Sequence, residues 1–247
     1  MKAWSMFVHS VRLVLNNLDV ALRVSLVLYL VQAASQYMNY KVAQSPMITL
    51  PGGSQIPDVS AGDSLLMVVL GLGALVASLW IAVAWHRFVL LAEMPKGWLP
   101  QWPSGHIMGY LWRSILLALI VAVVVVPVAT VFALLGSLVL ATAASVGIGS
   151  YAFFRLSPVL PAIAVGQDMS FGDALAATRD SGATLFGLAG LMILGSLLMQ
   201  MPTILSGDPR SVISLVYGIV VGWFATMIGV SLLTTVYGHY VEGRAID

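Results

Sequence analysis

Forty-one consecutive residues, Ser114–Phe154, carry no charge. About 20 largely apolar residues cover the hydrocarbon core of a bilayer, so this run is long enough to cross twice with a turn between. Gly136-Ser137, near its middle, is the place the sequence offers for that turn. The other uncharged runs are Val24–Tyr40, Ser64–Trp85, Ser181–Gly207 and Ser211–Gly238, each 17 to 28 residues long. The reading is six transmembrane helices at about 19–38, 64–88, 112–135, 138–163, 182–204 and 211–238. It predicts an all-α polytopic membrane protein. Residues 19–247 form one six-helix domain, and residues 1–18 precede it as an interfacial helix. The runs do not alternate polar and apolar residues, which argues against a membrane β-barrel.

Composition agrees. The chain is 60% hydrophobic and only 9% charged, too few charges to cover a water-facing surface. It has no cysteine, which excludes disulfides and thiolate chemistry. A net charge of +1 gives no footprint for nucleic acid.

With six spans both termini lie on one side. Lys2, Arg12, Arg23, Arg87, Lys96, Arg113, Arg155, Arg179 and Arg244 fall on that side, against Lys41 and Arg210 on the other. The positive-inside bias places both termini in the cytoplasm. Arg23 followed by an apolar stretch and Gln32-Ala33-Ala34-Ser35 has the outline of a signal peptide, but the long, patterned segment before it favours a retained span.

Between the spans, residues 1–18 place Trp4, Phe7, Val8, Val11, Leu15 and Leu18 on one helical face and Lys2, Ser5, His9, Arg12 and Asn16 on another, which predicts a helix lying in the headgroup plane. Asn17 and Asp19 predict a fresh helix start by capping and dipole. Residues 39–63, with Pro46, Pro51, Gly52, Gly53, Pro57 and Gly62, read as an irregular outer connector. The segment 93–109 contains Trp98 and Trp102 among prolines. With Trp4, Trp85 and Trp112 they predict an aromatic belt at the inner interface. Ser170 and Asp173 open a second interfacial helix over 170–180 with a capping-box pattern.

Candidate chemistry is sparse. Arg155 precedes Ser157-Pro158, and Pro161 follows, so the fourth span should break there. A cation beside a broken helix is a candidate contact for an anionic lipid headgroup or substrate. Arg155, Ser157, Arg87 and Arg23 are therefore the candidate lipid or anion contacts, with an arginine snorkelling at the membrane edge as the simpler reading. His86 and His239 each end a span beside aromatic residues, as interface histidines do. No ligand spacing among His9, His86, His106 and His239 predicts a metal or haem site, so the expectation is no cofactor. No P-loop, nucleophile elbow or HExxH is present. Gly218, Gly222, Ala225 and Gly229 form a small-residue stripe on the sixth span. Such a stripe marks a helix-packing face, within the bundle or toward a partner helix.

The run Val83-Ala84-Trp85-His86-Arg87-Phe88-Val89-Leu90-Leu91, followed by Glu93, Pro95, Gly97 and Pro100, resembles a signature of small bacterial inner-membrane proteins. So does Arg155-Leu156-Ser157-Pro158-Val159-Leu160-Pro161-Ala162 with the short helix after it. The layout is more distantly similar to the membrane domain of some glycerophosphoryl diester phosphodiesterases and to YciC-like proteins. That resemblance implies a six-helix bundle in a bacterial inner membrane. The expected function is non-catalytic: an accessory subunit or scaffold whose partners are the bilayer, anionic headgroups and other membrane subunits. A carrier of small amphiphiles using the broken span near Arg155 is the alternative. An enzyme acting on lipid headgroups, with His86 or His239 as base, ranks third.

Overall fold

The computed structural model describes residues 2–205, 207–208 and 211–246. Six helices are long and apolar enough to cross a membrane: α2 (Leu18–Ala43), α3 (Ala61–Leu91), α4 (Ile107–Leu134), α5 (Leu138–Leu156), α8 (Gly182–Leu205) and α9 (Val212–Tyr240). Shorter helices α1 (Lys2–Leu15), α6 (Val159–Ala164) and α7 (Phe171–Ala177) gather at the end that carries both termini, here called basal. The protein is an all-α, multi-pass membrane protein. Arg210, counted above with the outer charges, lies outside the described residues.

Local chemistry sets the boundaries. Gly136 takes φ +78° and turns α4 into α5, a conformation open to glycine at little cost. The fourth span breaks where Pro158 follows Ser157. α5 stops at Leu156 and α6 resumes at Val159, because proline has no N–H for the continuing ladder. Ser170 and Asp173 complete a reciprocal capping box on α7. Those hydrogen bonds hold the Asp173 carboxyl below the usual carboxylate range.

Three sequence expectations need correction. Residues 39–63 are not wholly irregular: β1 (Met47–Thr49) pairs antiparallel with β2 (Gln55–Pro57) around a turn in which Gly52 and Gly53 have positive φ. The glycines that argued against regular structure are what allow the hairpin to reverse. Lys41 and Asp63, 2.7 Å apart, tie the helix ends on either side of it. Asn17 does not cap α2 with its side chain. It turns back and donates to the Leu13 carbonyl at 2.8 Å, closing α1 instead.

The third correction concerns α1, which is more than a helix lying on the headgroups. Met6, Ser10 and Val14, spaced i, i+4, i+8, are buried where α1 packs against α8 and α9. The expected stripe faces outward, with Trp4 and Leu15 exposed. The helix therefore has three sectors: one on the protein, one apolar and open, one polar. The hydroxyl of Ser10 lies 2.8 Å from that of Thr235 on α9. Each hydroxyl also faces the carbonyl four residues back, Met6 for Ser10 and Ser231 for Thr235, so one donates across to the other helix while the other donates within its own.

Packing is uneven along the bundle. The buried core is made of Met6, Val83, Tyr110, Phe154, Leu185 and Leu232 with their neighbours in one cluster. A second cluster centres on Val14, Val24, Ile81, Trp85, Trp223 and Met227. Both belong to the basal half. In the distal half Met38 and Ala141 are buried, but Leu72, Val123, Leu134, Leu138, Leu197 and Ile213 are exposed. Lipid tails are as apolar as leucine, so hydrophobicity cannot hold these helices together there. Dispersion in the close-packed basal half and hydrogen bonds between helices do so. Trp223 Nε1 donates to Ser25 at 2.8 Å, Tyr29 to the Ile219 carbonyl at 2.8 Å, and Gln32 to Ser78 at 3.0 Å. In lipid each such bond contributes about 1 kcal/mol.

Candidate functional site

Functional side chains concentrate at the basal end, in three separate places. The first is buried. His86, on α3, has its Nδ1 2.8 Å from Thr234 Oγ1 and its Nε2 3.2 Å from the Tyr110 hydroxyl. The Thr234 proton is spent on the Val230 carbonyl. That leaves Nδ1–H as donor to Thr234 and Nε2 as acceptor from Tyr110. His86 is thus a fully buried bridge between α3, α4 and α9, not the interface histidine its place near a span end indicated. Both ring nitrogens are engaged within the chain. His239 stays at the end of α9, its Nδ1 2.9 Å from the Arg244 carbonyl.

The second place is the break between α5 and α6. The Arg155 guanidinium, half-buried, donates from Nε to the Thr178 hydroxyl at 2.9 Å. It also donates from Nη1 to the Tyr151 hydroxyl at 3.2 Å and from Nη2 to the Leu175 carbonyl at 3.1 Å. It binds the broken span to α7 as a three-way latch. Among the described residues no carboxylate lies within ion-pair distance of it. Ser157 is buried, and its hydroxyl donates to the Phe154 carbonyl in its own turn. Tyr151 stands one helical turn before Arg155, a spacing the sequence shows, whereas Thr178, 23 residues on, carries no spacing that links it to Arg155. Replacing Arg155 with lysine should remove two of the three bonds and cost about 2 kcal/mol, on the scale of charged hydrogen bonds. Unfolding in lipid nanodiscs checks it, and Tyr151→Phe should cost less than half as much.

The third place is a cavity of about 360 Å³. α3 ends at Ala92, which adopts the left-handed conformation at φ +55° and turns the chain back toward the bundle. Residues 93–106 then form a flap folded along α3. The Trp80 indole N–H donates to the Gln101 carbonyl at 3.2 Å, and the Trp80 and Trp102 rings meet edge to face at 4.7 Å. Trp80 precedes the end of α3 by eleven residues, about 16 Å of helix, so the flap reaches back along the last three turns of α3. Val24 and Ala84 form the apolar floor of the cavity, and Arg87, Glu93, Lys96 and His106 line its polar side. Arg87 bonds Glu93 at 2.6 Å, the Ala164 carbonyl at 3.1 Å, and lies 3.4 Å from His106 Nε2. Of these, Arg87 was the candidate visible in the sequence. Glu93, Lys96 and His106 join it only because Ala92 reverses the chain.

Arg23 joins none of these sites. It pairs with Asp19 one turn away on the surface of α2. The small-residue stripe divides as well. A Cβ at Gly222 would sit 2.7 Å from the Tyr29 hydroxyl of α2, whereas Gly218 and Gly229 face open space. Ala225, between them on the stripe, is partly exposed. The aromatic belt loses one expected member. Trp4, Trp98, Trp102 and Trp112 are at least half exposed, but Trp85 is 0% exposed in the core. Among the described residues no three His, Asp or Glu side chains group as metal ligands would.

Comparison with protein-family models, with curated proteins and with solved structures finds no match to this chain.

Proposed function

We propose that the protein is a non-catalytic scaffold or accessory subunit of a membrane assembly. Its packed basal half serves as the anchor, and its distal half as the surface offered to a partner. The observation that carries this reading is the glycine side of α9. Gly218 and Gly229 share one side of the helix and have nothing within 4 Å of an added Cβ, and Ile213, Val216 and Val220, on the opposite side, are exposed. Small residues on an uncovered span allow a second helix to approach closely, and close approach is what drives association in lipid. Arg155 and His86 favour the same reading, since each is engaged by hydrogen bonds to its own chain. The Lys and Arg bias supports a cytoplasmic setting for the basal end and both termini, and the resemblance of the Val83–Leu91 run supports a bacterial inner membrane as the setting.

Extraction from native membranes with a mild polymer, followed by mass spectrometry, tests this. A second polypeptide should co-purify at stoichiometric level. Gly218→Leu with Gly229→Leu should release it while the remaining chain unfolds at the wild-type temperature. Recovery of the wild-type chain as a lone monomer would overturn the proposal.

A further inference from the structure

The cavity under the flap has a chemistry that scaffolding does not use. Its rim is apolar: Met94, Trp98, Leu99 and Trp102 are exposed side chains on a segment that packs against Trp80. Indole rings with one apolar and one polar edge settle at headgroup depth. The cavity beneath them therefore opens at the level of lipid phosphates rather than in bulk water.

Its lining is mixed. Arg87 is held in place by Glu93 and by the Ala164 carbonyl. Lys96 lines the same cavity from the flap and is exposed, with no carboxylate within ion-pair distance among the described residues. Arg87 and Lys96 face one carboxylate, Glu93, an excess of one positive charge, and the His106 imidazole adds a further polar atom beside Arg87. Val24 and Ala84 close the membrane side with apolar surface. Space of about 360 Å³ is in the range of sites for small molecules. An excess cation over an apolar floor, beneath a rim set in lipid, matches a group that carries a phosphate on a hydrocarbon stem. Free phosphate would use the cations and leave the apolar floor and the inserted rim without a role.

We propose that the cavity between the flap and the basal ends of α2 and α3 binds the phosphate-bearing headgroup of a phospholipid, with Lys96 and Arg87 on the phosphate. Lys96 is the residue to change, because Arg87 also holds the flap to α6 and its loss risks the fold. The full-length protein in a non-ionic detergent is titrated with dihexanoyl phosphatidylglycerol, with dihexanoyl phosphatidylethanolamine, and with inorganic phosphate at matched ionic strength. Thermal unfolding and tryptophan emission are followed together, since Trp80 and Trp102 flank the cavity. The wild type should show a saturable rise in Tm and an emission shift with either lipid, and neither with phosphate. Lys96→Gln should unfold at the wild-type temperature without lipid and require at least tenfold more lipid for the same shift. A response to lipid that Lys96→Gln leaves unchanged, or none in the wild type, would overturn the site. Equal protection by inorganic phosphate would overturn the assignment to lipid.

Discussion

Trp85→Ala should destabilise the protein by about 3 kcal/mol, the scale of emptying a large buried side chain. Trp112→Ala should change stability by no more than about 0.5 kcal/mol, as exposed substitutions do. Both tryptophans lie near the basal end of a span, and in sequence they look alike. In the structure Trp85 is wholly buried in the cluster that joins α1, α2, α3 and α9, while Trp112 is 59% exposed. The indole of Trp85 also leaves a cavity that lipid cannot enter from the membrane. Steric-trap or denaturant unfolding in bicelles measures the difference. Similar losses at the two positions would mean that the basal half is not the packed core described above.

The second large effect is a change of sign along one helix face. Gly222→Ala should cost about 1–3 kcal/mol, because its methyl would stand 2.7 Å from the Tyr29 hydroxyl and overpack the contact. Moving Tyr29 also strains its bond to the Ile219 carbonyl. Gly218→Ala, one turn away with open space around it, should instead gain about 0.5 kcal/mol from helix propensity. The same unfolding assay on the isolated chain reads both. Equal effects would show that the stripe acts as a single face, either wholly inside the bundle or wholly outside it.

These pairs show what the sequence makes legible. Runs without charge mark spans because the bilayer penalises charge wherever it falls, so the six helices and the turn at Gly136 can be read one residue at a time. The break before Pro158 is equally local. Burial within the bundle is different. Facing lipid or facing another helix asks for the same apolar side chains, so Trp85 and Trp112, or Gly222 and Gly218, carry no local mark of which they do. The same holds for α1. Its outward stripe is visible, but the face that docks is Met6-Ser10-Val14, and its partner, Thr235, is 225 residues away. The flap cavity was half legible. Arg87 stood out as a cation at a span end, yet its neighbours depend on Ala92 adopting a left-handed turn that no glycine announced. His86 was misplaced for a related reason: its hydroxyl partners lie on α4 and α9, far away in the chain.

The absence of cysteine makes single-site probes simple to introduce. Photo-crosslinking in native membranes from the partly exposed positions 221 and 225, on the same side of α9 as Gly218 and Gly229, bears most directly on whether this chain works by packing. Adducts with a distinct polypeptide at both positions, lost when Gly218 and Gly229 are enlarged, are the predicted result. Adducts with lipid alone from both positions would contradict it.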